Sequence, residues 1–136
     1  MVNTNARTWT GGAYWNFRTR RHPLFEDAWM TKYATWPYVQ LHLDDEGGAL
    51  LHGRKSEPEL AFAWHEVEEM ERVRVLGFPF LGEGVRVTLK EVMAWGTRRR
   101  FIFFSGRKGR TMDILELAES QGVRVKRRAK NKFTVP

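Results

Sequence analysis

From residue 38 onward, apolar and polar side chains alternate at every second position. Val39, Leu41 and Leu43 alternate with Gln40, His42 and Asp44, which predicts a half-buried strand. Asp45-Glu46-Gly47-Gly48 reads as a turn, and residues 49–53 as the returning strand of a hairpin. Leu60, Phe62 and Trp64 predict a third strand, a turn follows near His65 and Glu66, and a fourth strand runs over 68–76. Val85, Val87 and Leu89 mark a fifth, with Arg86, Thr88 and Lys90 on its other face. Residues 99–105 form a sixth, whose Phe101-Ile102-Phe103-Phe104 run predicts burial on both faces.

The period then changes to that of a helix, over 111–121. Ile114, Leu115 and Ala118 make one apolar stripe, widened by Leu117. Thr111 is the expected N-cap, Asp113 complements the first turn, and Gly122 stands where a glycine ends a helix. Val123 and Val125 predict a last short strand before an irregular basic tail at 126–132. The expected fold is therefore mainly β with one C-terminal α-helix. Six to seven antiparallel strands would curl into a roll or partly open barrel, with the helix over one mouth.

Residues 1–37 show no such period. They hold Trp9, Tyr14, Trp15, Phe17, Phe25, Trp29, Tyr33 and Trp36, broken by Gly11, Gly12, Pro23 and Pro37. A short helix near 25–32 is the only regular element they suggest. The chain thus divides into an aromatic-rich extension (1–37), a β domain (38–125) and a basic tail (126–136). Large rings are costly to leave in water, at about 25 cal/mol per Å². Trp9, Tyr14, Trp15, Phe17 and Arg18 are accordingly expected to contact a protein partner or a second copy. The alternative is that these rings, with Arg20 and Arg21, stack on bases.

Composition narrows the function. A chain of 136 residues suits one domain. The absence of cysteine excludes disulfides, thiolate metal sites and thiol nucleophiles. No apolar run approaches the ~20 residues that span a bilayer, and the first ten residues lack a signal-peptide core. A cytoplasmic location is expected. The net charge of +7 is uneven: residues 1–56 carry +2, residues 57–96 carry −4 and residues 97–136 carry +9. Three basic sets lie in that last part: Arg98, Arg99 and Arg100; Arg107, Lys108 and Arg110; and Lys126, Arg127, Arg128, Lys130 and Lys132 after Arg124. They predict contact with an anionic membrane surface or with nucleic acid. The second set precedes a helix, whose first amides also favour anions.

Chemistry is sparse. If Leu43 pairs with Leu51, His42 and His52 share one face with Asp44, the start of a His-His-carboxylate metal site. A one-residue slip would separate them and leave two surface histidines. Glu66, Glu68, Glu69 and Glu71 form an acidic cluster beside Arg72 and Arg74, read as a solvated face. No nucleophile elbow, P-loop, dinucleotide fingerprint or His-Glu-x-x-His motif occurs. No catalytic residue and no cofactor are expected.

Three stretches carry a family resemblance. Trp64-His65-Glu66-Val67 is similar to a Trp-x-Glu-Val/Ile corner after a third strand. Gly84-Val85-Arg86-Val87 and Arg100-Phe101-Ile102-Phe103-Phe104 are similar to two last main strands. Ile114-Leu115-Glu116-Leu117-Ala118 with Gly122-Val123-Arg124-Val125 is similar to a helix ending in Gly-Val-x-Val. Together, over residues 36–125, they resemble the small bacterial pleckstrin-homology-like domains, a group with many short actinobacterial proteins. The resemblance implies two nearly orthogonal sheets closed at one corner by a C-terminal helix, and a non-catalytic binding role. Headgroup-binding members carry basic residues around the loop between their first two strands. The sequence reading places the acidic Asp44-Asp45-Glu46-Gly47-Gly48 there, which points away from phosphoinositides.

Overall fold

The computed structural model describes residues 6–19, 28–53, 57–75, 82–92 and 96–132, with the backbone alone at 17–19, 28–31, 75 and 129–132. Among the described residues are eight strands and one α-helix. The strands are β1 (Arg7–Thr19), β2 (Ala28–Leu43), β3 (Gly47–His52), β4 (Leu60–Ala63), β5 (Val67–Val75), β6 (Gly82–Val92), β7 (Arg98–Phe104) and β8 (Val125–Lys132). The helix α1 spans Lys108–Ser120. The chain is mainly β with a C-terminal helix, as its periodicity predicts.

All eight strands belong to one sheet in the order β4-β3-β2-β1-β7-β6-β5-β8. It is not closed into a barrel: β4 and β8 are its edge strands among the described residues. Two antiparallel meanders, β1 to β4 and β5 to β7, join where β1 pairs with β7. The expectation of purely antiparallel strands fails at the C-terminus. The segment 126–132 is not an irregular tail: it lies within β8, which pairs in parallel with β5.

The first 37 residues also depart from their expected irregularity. β1 and β2 pair over most of their length, and β1 is central to the sheet. The expected helix at 25–32 is replaced by strand from Ala28; residues 25–27 lie outside the described residues. The alternation is hidden because glycines and a register break interrupt it. Trp9, Ala13 and Trp15 point to the inner face and are buried with Val39, Leu41 and Leu43. Leu50, Phe62, Val85, Val87, Phe101, Phe103 and the helical Ile114, Leu115 and Ala118 complete this core. Each large side chain so buried is worth about 1.5–3 kcal/mol relative to exposure. Ile102, Phe104 and Val73 form a second buried cluster, with Tyr14 packed beside it. β7 is buried on both faces, as its four apolar residues predict.

The helix begins earlier than the sequence suggests. Arg107 is its N-cap and makes no side-chain cap bond. Thr111 instead lies buried, its hydroxyl 2.6 Å from the Ser105 hydroxyl. Gly122 ends the helix at φ +85°, a conformation that suits glycine. Trp64 packs inward at a 3₁₀ turn, and its indole N–H donates to the Asp44 carbonyl at 2.7 Å.

Ion pairs tie β5 to β6. Arg72 donates to both carboxylate oxygens of Glu83, at 2.9 and 2.5 Å. These hydrogen bonds hold the Glu83 carboxyl below its usual range against the opposing effect of burial; Arg74 and Lys108 add smaller attractions. A depressed folded-state value gives stability that is present above the unfolded carboxyl pKa of ~4.3 and is lost as pH falls through the folded value. The urea midpoint is thus expected to fall below about pH 4, and Glu83→Gln to flatten that acid limb. An acid limb unchanged in Glu83→Gln would remove this pair as its cause.

Candidate anion-binding face

The hairpin register decides the histidine question. Asp44 accepts from the amides of Glu46 and Gly47 at 2.8 and 3.0 Å, so the turn closes early and β3 starts at Gly47. Leu43 pairs with Gly48 and Leu41 with Leu50, not Leu43 with Leu51. The offset of three residues is odd, so it reverses the face of every side chain on β3. His42 lies on the outer face, opposite Ala49, beside the Thr8 hydroxyl and Asp44. His52 lies on the inner face, 3.7 Å from Glu59 and edge-on to Trp15. The expected His42–His52 site is not assembled. No group of three metal-ligating side chains converges among the described residues.

The strand β1, ahead of the one expected to be first, also shifts the order of the connections. Residues 44–46 join β2 to β3, whereas the segment between the first two strands is 20–27. That segment, outside the described residues, includes Arg20 and Arg21 in its sequence. The acidic character assigned above to the first loop therefore belongs to the second.

Two residues of the expected aromatic interface are core. Trp9 is 6 % and Trp15 0 % exposed, and Tyr14 is half-buried. The side chains of Phe17 and Arg18 lie outside the described residues; their backbone belongs to β1. Among the described residues, the large exposed rings are Tyr33, Trp36 and Tyr38, at 60, 66 and 61 % exposure. Strand period on β2 gives the signal for Tyr38, which falls on the face opposite Val39.

Ion pairs sort the basic candidates. Arg98 lies 4.0 Å from Glu68, and Arg99 3.3 Å from Glu91. Lys126 lies 3.4 Å from Glu69, and Arg127 clasps Glu119 through two bonds of 2.8 and 2.7 Å. Arg127 holds the Glu119 carboxyl below its usual range and ties α1 to β8. Arg100, Arg107, Lys108, Arg110 and Arg128 are exposed and make no ion pair among the described residues. The side chains of Lys130 and Lys132 are outside the described residues.

Strand direction gathers some of these and separates others. β7 begins at Arg98 and ends at Phe104, so the first and second basic sets lie at opposite ends of it. β8 runs parallel to β5, with the backbone of Lys130 beside Val73 and that of Lys132 beside Val75. The amide of Gly106 donates to the Glu83 carbonyl, which holds the turn before α1 against the start of β6. Arg107, Lys108, Arg110, the end of β8 and Arg74, 58 % exposed and 3.8 Å from Glu83, therefore occupy one end of the sheet. No protein-family model, curated protein or solved structure matches the chain.

Proposed function

We propose that this chain is a non-enzymatic binding module that engages an anionic partner through the helix end of its sheet. The observation that carries the reading is the contrast in pairing. Arg98, Arg99, Lys126 and Arg127 are ion-paired within the fold, whereas Arg107, Lys108 and Arg110 stand together, exposed and in no ion pair among the described residues; Lys108 feels Glu83 from beyond ion-pair distance, a carboxylate already clasped by Arg72. Unpaired cations on one rigid edge raise the local potential and draw anions from solution. A relation to pleckstrin-homology-like modules is supported by the order of elements: two antiparallel meanders joined through β1 and β7, with the helix after them.

Retention on immobilised heparin tests the reading without prejudging the natural anion. Reversing Arg107, Lys108 and Arg110 to Glu is expected to lower the eluting salt concentration steeply. The matched control reverses Arg100, Arg124 and Arg128, also exposed and without an ion pair among the described residues. The net charge change is the same, so the control should elute at a clearly higher salt. Equal losses would reduce the effect to bulk charge and end the proposal.

A further inference from the structure

The exposed rings have a fixed seat. Between Gly11 and Ala13 the β1–β2 register jumps, from Gly11 opposite Val39 to Ala13 opposite Ala34. Four residues of β2, Thr35 to Tyr38, therefore bulge out against one residue of β1. A side chain built on Gly12 would meet the Ala34 carbonyl oxygen at 2.9 Å and the Trp36 nitrogen at 3.1 Å. Gly12 shares the outer face with Tyr14, so the bulge folds over that outer face and lifts Trp36 from it.

The bulge lies in line with the basic end. Gly12 pairs with Phe104, Phe104 with Gly84, Gly84 with Val73 and Val73 with Lys130. The end of β7 is thus two strand spacings from the bulge, about 10 Å, and three residues before Arg107. The five adjacent strands from β4 to β7 contain no aspartate or glutamate. The carboxylates of the sheet are confined to β5 and β6. Along β2, the exposed residues beside the rings are Thr35, Pro37 and Gln40.

Building on the anionic reading above, we infer that the partner is a single-stranded nucleic acid, its bases stacked on Trp36, Tyr38 and Tyr33 and its phosphates led toward Arg107, Lys108 and Arg110. Rings beside a cationic track are what an unpaired strand recognises, because every base has a free π-face. A duplex hides those faces. A membrane would call for aliphatic side chains beside the rings, entering the acyl region. Besides Pro37, the neighbours here are the Thr35 hydroxyl and the Gln40 amide, suited to base edges, and no long aliphatic side chain is among them.

The test measures anisotropy of labelled dT12, of a 12-base-pair duplex and of vesicles containing phosphatidylserine, using the full chain. Wild type is expected to prefer dT12. The double variant Trp36→Ala, Tyr38→Ala should lose about 30-fold for dT12 while the slope of log K against log salt stays unchanged. The Arg107, Lys108, Arg110 reversal should flatten that slope. Ring variants that bind dT12 like wild type overturn the inference, as does a wild type that prefers duplex or vesicles. If heparin retention still depends on the helix end while the rings are silent, the stacking inference alone falls. If no polyanion is retained, the anionic reading falls with it.

Discussion

Glu71→Ala is expected to destabilise the fold by about 3–5 kcal/mol, the usual result of stranding one member of a buried ion pair. Glu71 on β5 and Arg86 on β6 are directly opposite, 3 and 9 % exposed, and their carboxylate and guanidinium are in contact. Burial pushes the Arg86 guanidinium down from its ordinary value; Arg100 adds to this and Glu69 opposes it. A guanidinium does not lose its proton under ordinary conditions, so a lone Arg86 would stay charged in a poorly solvated site. Replacing both partners, Glu71→Leu with Arg86→Met, should recover most of the loss, because no buried charge remains. Urea unfolding of wild type, single and double variants measures all three. A single-variant loss under about 1 kcal/mol would class the pair with exposed bridges.

That pair shows where pattern reading stops. The sequence places Glu66, Glu68, Glu69 and Glu71 beside Arg72 and Arg74, and adjacency suggests mutual pairing on a solvated face. Strand geometry forbids it for neighbours, because successive side chains leave opposite faces of a sheet. Glu71 therefore reaches Arg86 on the outer face, while Arg72 turns to Glu83. The alternation itself is legible, and with it the core of β2, β6 and β7. Which strand lies beside which depends on contacts distant in sequence, so the parallel β8 and the central place of β1 were not.

The candidate site was legible in its charges and not in its rings. The basic set at Arg107, Lys108 and Arg110 stands out in sequence because it precedes a periodic helix. Its separation from Arg98, Arg99, Lys126 and Arg127 rests on where Glu68, Glu91, Glu69 and Glu119 come to lie, which no local pattern encodes. Among the aromatics the sequence picks Trp9 and Trp15 as surface, and the structure makes them core. Their alternation across Gly11 and Ala13 reads as a strand only once β7 supplies the inner wall, since Trp15 pairs with Phe101 and Ala13 with Phe103.

Substitutions at Gly11 and Gly12 should separate these two jobs of β1. A side chain on Gly11 would stand 2.1 Å from the Phe104 carbonyl oxygen and 2.9 Å from the Phe103 ring. The first obstacle is backbone and cannot retreat without opening the β1–β7 seam that joins the two meanders. Gly11→Ala is thus expected to cost at or above the upper end of the ~1–3 kcal/mol typical of overpacking. Urea unfolding would register this as a lower midpoint. Glycine inside a strand commonly marks such a close approach of backbone. At Gly12 the obstacles are the Ala34 carbonyl oxygen and the Trp36 nitrogen at 2.9 and 3.1 Å, both in the backbone of the bulge, so an added methyl has to displace the bulge itself. Gly12→Ala, with the longer contacts, should therefore cost less than Gly11→Ala and also disturb ring presentation, seen as altered Trp emission and weaker dT12 binding under conditions where the variant is fully folded. Equal destabilisation by the two variants, with ring behaviour untouched by Gly12→Ala, would mean that the bulge does not rest on Gly12.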